Sequence, residues 1–389
     1  MPSISKDIVE RINLVVGNAP RPVPLHAPEF NGSEWEKVKD CLDTGWVSSV
    51  GRYVDEFEYK VAESCGTKFG VALVNGTAAL QMALQVVGVK PGDEVLVPSL
   101  SFVATANAVV HLGAKPHFID IDPDTLGLSP TALEEHLRQN CRAQNSALIN
   151  KATGARISAV VPMHVFGHPA SMRKIWQVAE EFGLHIVEDA AEALGSEYFG
   201  SPCGSLGHVA ALSFNGNKTL TTGGGGAIVT NDATLATRAK HLSTTAKLPH
   251  QWEFVHDEVG YNFRMPNLNA ALGCAQLEQL PERLLQKRAL ADKYFEAFKD
   301  LEDIEMFQEP ANCKSNFWLN TLVLKTPDLE VRDDILRATN AAGLQCRPVW
   351  RALHTLEFFK SNPRSKLPAT ESFEKRLINV PSSAWLGAA

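Results

Sequence analysis

Leu212-Ser213-Phe214-Asn215-Gly216-Asn217-Lys218-Thr219-Leu220-Thr221-Thr222-Gly223-Gly224-Gly225-Gly226-Ala227-Ile228-Val229 carries an apolar run into small polar residues around one lysine, and four glycines then open a second apolar run. That is the pattern of a strand, a tight loop and another strand. Such a loop presents backbone amides at close range, and an amine held in it can act as a nucleophile toward an aldehyde. Taken alone, Lys218 reads as a solvated loop residue beside a flexible turn. Its meaning comes from the residues found on either side of it in the chain.

Outward from this loop, short apolar runs alternate with helical stretches. Strands are expected at 69–74, 94–97, 116–121, 157–163, 185–188, 209–214 and 227–230, and helices at 77–87 and 102–112. A further helix opens at Ser129-Pro130, with serine at N-cap and proline at N1. The alternation predicts an α/β fold with a mostly parallel central sheet covered by helices on both faces. Ligands in such sheets gather at the carboxyl ends of the strands. The polar stretch 142–156 reads as a surface excursion.

Ahead of the sheet, Ile4, Ile8, Ile12 and Val15 or Val16 recur at helical spacing, and Pro20, Pro22, Pro24 and Pro28 impose an extended linker. Ser33 with Glu36 makes a capping box for a helix that stops near Gly45. Beyond 257 the pattern turns more helical, with helices at 268–280, 284–298 and 331–342, a strand at 318–324 and a closing helix at 372–377. Three segments follow from this: an N-terminal helical arm and linker over 1–45, a large cofactor-binding α/β domain over 46–256, and a small C-terminal α+β domain over 257–389.

Several stretches carry chemistry. In Asn75-Gly76-Thr77-Ala78-Ala79-Leu80 a strand meets a helix start, whose amides and the Thr77 hydroxyl suit a phosphate, although the same residues make an ordinary N-cap. Val187-Glu188-Asp189-Ala190-Ala191-Glu192 places acids just after an apolar strand. A strand-end carboxylate such as Asp189 can pair with a protonated ring nitrogen, with Glu192 near another polar substituent of the ring. Phe102 could stack on a flat ring, and Ser213 and Asn262 are candidate phosphate contacts. Together these are the parts needed to hold pyridoxal 5'-phosphate and use it as an electron sink. The glycine run 223–226 does not open a helix in a G-x-G-x-x-G pattern, so a dinucleotide site fits less well.

Composition narrows the partners. With 389 residues, 44% hydrophobic and 21% charged, the chain reads as globular, and a net charge of -7 offers no basic footprint for nucleic acid. No run is long enough for a membrane span, and the first residues are charged where a signal peptide needs an apolar core. Seven scattered cysteines without CxxC spacing point to the reducing cytoplasm, and no metal is expected.

Four motifs in order, Asn75 to Leu80, Glu188 to Ser196, Ser213 to Lys218 and Gly260-Tyr261-Asn262-Phe263-Arg264-Met265, resemble the DegT/DnrJ/EryC1/StrS nucleotide-sugar aminotransferases of fold type I. The resemblance implies Lys218 as the Schiff-base lysine, Asp189 as partner of the pyridinium nitrogen and Glu192 as neighbour of the 3'-hydroxyl. It implies Gly76, Thr77 and Ser213 at the phosphate, Phe102 on the ring, and Asn262 reaching the phosphate from a second subunit of an obligate homodimer with composite sites.

Residues 24–30 and 46–51 look like the subgroup that makes UDP-4-amino-4,6-dideoxy-N-acetylglucosamine for bacillosamine and legionaminic acid pathways, with L-glutamate as donor. Residues 347–354 resemble the family's C-terminal segment near the sugar nucleotide, so Trp350 and His354 are expected substrate contacts with Ser48, although a core tryptophan and a surface histidine are the plain alternative. The alternatives are another 4-keto or 3-keto sugar aminotransferase, of perosamine type for example, a sugar dehydratase of the same fold with histidine in place of the lysine, or a binding protein without turnover.

Overall fold

The computed structural model describes residues 4–145 and 147–388. Seven strands of its central sheet lie side by side in the order Phe69–Leu73, Gly226–Thr230, Val209–Ser213, His185–Asp189, Arg156–Val160, Glu94–Pro98 and Lys115–Ile119. The five from Val209–Ser213 onward are parallel to one another. Gly226–Thr230 is antiparallel to the strands on both of its sides, so Phe69–Leu73 points the same way as those five. The carboxyl ends at Leu73, Pro98, Asp189 and Ser213 therefore share one edge of the sheet with the amino end at Gly226.

These strands are apolar on both faces because both faces are covered. Val71, Val95 and Val97 pack under the helices Gly76–Val86 and Val103–His111. On the opposite side Leu96, Ile119 and Ile186 meet the helices Pro130–Asn140 and Met172–Phe182. Ser129 caps Pro130–Asn140 as expected, its Oγ accepting the Ala132 N–H at 3.2 Å.

Some expectations are corrected. Residues 142–156 are no polar excursion: Cys141–Gln144 and Ala147–Asn150 form a hairpin that extends the sheet beside Arg156–Val160. The alternation Leu148 buried, Ile149 half-buried, Asn150 buried belongs to a strand with one covered face, and Cys141–Gln144 outside it is the edge. The Ser33 hydroxyl makes no helix cap, since it donates to Glu278 at 2.8 Å, and Glu34 instead takes the Gly32 N–H at 2.8 Å. The expected last helix at 372–377 lies earlier, at Pro368–Phe373, and Leu377–Val380 is a strand. Pro368 sets the helix start, and the apolar run Leu377-Ile378 pairs with Asn320–Leu324.

The C-terminal unit is an antiparallel sheet in the order Ile304–Met306, Asn320–Leu324, Leu377–Val380, Arg347–Pro348. The N-terminal helix Ile4–Val16 packs into this unit: Ile8 and Ile12 are buried with Leu290, Tyr294, Leu322 and Ile335. Helix Asn267–Glu278, past the expected boundary at 257, packs instead on helix Arg52–Ser64, so closely that a Cβ on Gly273 would stand 2.5 Å from the Phe57 ring.

Helix Leu280–Phe298 buries a lysine against the C-terminal unit. Lys287 is 1% exposed, and its Nζ donates to Trp318 O at 3.1 Å and Ser382 O at 2.7 Å. Burial pushes its pKa down to about 7. Above that value the unfolded chain binds a proton that the native chain does not, so this residue makes stability rise with pH from about 7 toward the free-lysine value. In Lys287→Met that slope is gone. The difference in unfolding free energy between parent and variant, measured by urea titration of cofactor-free protein, should change by about 2 kcal/mol from pH 7 to 9.

Candidate active site

The loop after Val209–Ser213 is closed by backbone bonds, Phe214 N–H to Gly225 O at 2.9 Å and Thr222 N–H to Phe214 O at 3.0 Å, and it holds Lys218 over the shared sheet edge. Lys218 Nζ lies 3.1 Å from Glu192 Oε1 and 3.9 Å from the centre of the Trp318 ring, with 13% of its side chain exposed. The Trp318 indole N–H donates to Asn217 O at 2.7 Å, docking the loop onto the C-terminal unit.

Asp189 ends its strand and is buried. Its Oδ2 accepts the Thr105 hydroxyl at 2.7 Å and its Oδ1 the Ala191 N–H at 3.3 Å. Burial raises its pKa, against the pull of those two donors and of Lys218. Glu192 is raised for the same reason, opposed by Lys218 and by the Phe166 N–H, which it accepts at 2.9 Å.

Strand alternation turns the neighbouring Glu188 to the other face. It is fully buried, and it accepts bonds from His164 Nε2 and from the backbone N–H groups of Gly204, Leu206 and Gly207. Two adjacent acids thus part company, one facing the cavity and the other tying down a loop.

Opposite Asp189, helix Gly76–Val86 starts on Asn75, whose Oδ1 accepts the Ala78 N–H at 2.8 Å. The first amides of a helix have no acceptor within it. A Cβ on Gly76 would stand 2.7 Å from Ser213 Cβ, so the helix start packs directly against the Ser213 side chain at the strand end. Gly226 sits in register between Leu73 and Ser213, and a Cβ there would meet the Asn75 carbonyl oxygen at 2.4 Å. Backbone is what it would strike, so Gly226→Ala should lower the stability of cofactor-free protein by about 1–3 kcal/mol and weaken pyridoxal phosphate uptake. Thermal melting with a fluorescence titration of the cofactor checks both.

A cavity of about 350 Å³ opens among these groups, lined by Asn75, Gly76, Thr77, Phe102, Thr105, Asp189, Glu192, Ser213, Lys218, Trp318 and Trp350. Phe102 stands at its mouth 48% exposed, its ring 6.3 Å from that of Trp350. Three expected site residues lie elsewhere. Ser48 is exposed, its carbonyl taken by the Asn267 N–H at 2.6 Å. Asn262 is exposed on the chain that borders Phe69–Leu73, where its Oδ1 accepts from Arg264 at 3.0 Å. His354 is buried behind the site, with Nδ1 2.8 Å from Ser99 Oγ.

The cavity fits pyridoxal 5'-phosphate on its own terms. It is walled by a buried carboxylate, by an amine held at its edge, by a half-exposed aromatic ring, and by a helix start where only glycine leaves room for a backbone approach. This is the architecture of a pyridoxal-phosphate transferase built on a parallel sheet.

The chain belongs to the DegT/DnrJ/EryC1/StrS aminotransferase family, whose model matches residues 28–388. It is 35% identical over 360 residues to the GDP-perosamine synthase of Escherichia coli O157:H7, covering 92% of this chain and 93% of that one. To the GDP-perosamine synthase of Caulobacter vibrioides it is 36% identical over 365 residues, 94% of each chain. Among solved structures, a DegT DnrJ EryC1 StrS aminotransferase from Brucella abortus superposes with a TM-score of 0.81 at 31% identity, covering 90% of both chains. The fold is that of the fold type I enzymes, the activity is that of a sugar aminotransferase, and the cofactor is pyridoxal 5'-phosphate. No helix among the described residues is long and apolar enough to cross a membrane.

Proposed function

We propose that this enzyme moves the amino group of L-glutamate to the 4-keto carbon of a 4-keto-6-deoxy nucleotide sugar, as a homodimer with composite sites. The observation that carries the reading is the meeting of Lys218, Asp189 and Glu192 in one cavity with the Asn75–Thr77 helix start. Bound pyridoxal phosphate supplies an aldehyde for amines and a ring that takes up negative charge. Lys218 anchors it and, as a free amine, moves the proton at the carbon bearing the transferred nitrogen. Asp189 keeps the ring nitrogen protonated, and Glu192 meets the ring hydroxyl. The Gly76 amide, Thr77 and Ser213 bind the phosphate, and Phe102 covers the ring. Trp350, at the cavity mouth, contacts the sugar nucleotide, and His354 braces the turn before Phe102 through Ser99.

Two features support the dimer. Asn262 and Ser48 stand exposed outside their own chain's cavity, and the neighbouring loops expose Trp46, Val50, Trp252 and Phe254 by 57 to 78%. A second copy would cover this apolar surface and bring both polar residues to its own cavity.

The relatives favour a GDP sugar of the perosamine kind over the UDP-2-acetamido sugar expected from residues 24–30 and 46–51. Incubation with glutamate and a panel of GDP, UDP and dTDP 4-keto-6-deoxy and 3-keto-6-deoxy sugars, read by 2-oxoglutarate release and product mass, tests this. Turnover of the GDP sugar with nitrogen at carbon 4 is the expected result. Preference for the UDP-2-acetamido substrate would move the assignment to the bacillosamine type, and turnover of a 3-keto sugar alone would reject it.

A further inference from the structure

We infer that Thr105 is a positioning residue for Asp189: its hydroxyl, backed by that of Ser101, fixes the carboxylate that faces the cofactor ring. The inference rests on the proposed role of Asp189. Thr105 lies on helix Val103–His111, three residues past Phe102 and one turn further along the same face. Its Oγ1 is 2.7 Å from Asp189 Oδ2 and 2.7 Å from Ser101 Oγ. Ser101, Thr105 and Asp189 are all 2% exposed or less, so no bulk water competes for these bonds.

The proton count fixes the direction of the relay. A carboxylate accepts only, and a hydroxyl has a single proton to give. Thr105 donates to Asp189, so the contact between the two hydroxyls is a hydrogen bond only with Ser101 as donor. The Met163 thioether, 2.9 Å from Ser101 Oγ, is a weaker acceptor and leaves that order in place. Donors aligned in one direction polarise one another toward Oδ2.

Asp189 needs this support. Buried without donors it would take up a proton, and a neutral acid is a poor partner for a ring N–H. The groups that face it are Thr105, the Ala191 N–H, Lys218 and His164, with Glu192 opposing as a like charge. His164 is already bonded to Glu188 on the far side of the strand, and Lys218 is engaged with Glu192. The Ala191 bond is long at 3.3 Å. Thr105 thus supplies the short hydrogen bond, and with Ala191 on the other oxygen it leaves the carboxylate plane two fixed points.

The test compares Thr105→Val, which keeps the shape and removes the hydroxyl, with Thr105→Ser, which keeps the hydroxyl. Each protein loaded with pyridoxal phosphate is titrated with acid and base while its absorbance is followed, and kcat and KM for the keto sugar are measured beside it. In Thr105→Val the ring proton should be lost about one pH unit lower, with kcat down roughly ten- to a hundredfold and KM within about twofold. Thr105→Ser should restore both. An unchanged titration and kcat in Thr105→Val would overturn the inference while leaving Asp189 in its role, which its own substitution reports separately. Should the valine variant not fold, Ser101→Ala, one step back in the relay, must shift the titration in the same direction by less, and no shift there overturns the inference. A parent protein that takes up no pyridoxal phosphate would end the reading of the site itself.

Discussion

Lys218→Arg loses turnover by about 10⁴-fold or more and holds no cofactor covalently, although it folds like the parent. Arginine keeps the positive charge next to Glu192 and can still lie on the Trp318 ring, so the local electrostatics survive the change. What it cannot do is give up its proton at any working pH, and both jobs assigned to position 218 need a neutral amine for part of the cycle. Borohydride treatment followed by intact mass shows whether cofactor is attached, and a glutamate half-reaction shows whether the proton still moves. Covalent attachment and full turnover in the variant would remove Lys218 from the reaction.

Asp189→Asn separates catalysis from stability in opposite directions. The amide fills the same space and can still accept the Thr105 hydroxyl, but it carries no charge for the ring nitrogen. Turnover should fall by about 10³-fold, the size seen when one pre-organised electrostatic partner is lost. Burial raises the Asp189 pKa in the folded chain. Between the ordinary aspartate value and that raised value the native state binds more protons than the unfolded state, so stability declines as pH rises through the window. Without cofactor the parent therefore carries this penalty at neutral pH and the asparagine variant does not. Urea unfolding of the two cofactor-free proteins should find the variant the more stable at pH 7 and the difference gone in acid. A variant less stable than its parent at pH 7 would contradict the burial argument.

The sheet was legible because its strands are covered on both sides and so read as unbroken apolar runs between helices. Leu212 to Val229 announced both its strands and the loop that carries the lysine. The hairpin over Cys141–Asn150 escaped because its edge strand Cys141–Gln144 is polar after Cys141, and the alternation of Ala147–Asn150 over four residues is too short to stand out. Within the site, Asp189 and the Asn75 helix start were readable from position alone, since a strand's end and a helix's beginning are both marked in sequence. Thr105 carried a usable signal, its spacing of three from Phe102 on one helix. Trp318 carried none, for it reaches the loop of Lys218 across 101 positions and from the other sheet. Asn262 and Ser48 lie outside the cavity of their own chain, and a single sequence does not show which surfaces meet in an assembly.

The segment Ile4–Val16 is synthesised before any of the helices and strands it packs against, all of which lie past residue 280. During translation its apolar stripe must stay uncovered while some 270 residues emerge, and the strand Asn320–Leu324, preceded by the Trp318 that closes over Lys218, is also made late. The pocket is thus completed only once the Trp318 segment, some 100 residues beyond Lys218, has been made, and the apolar stripe of Ile4–Val16 finds its partners no sooner.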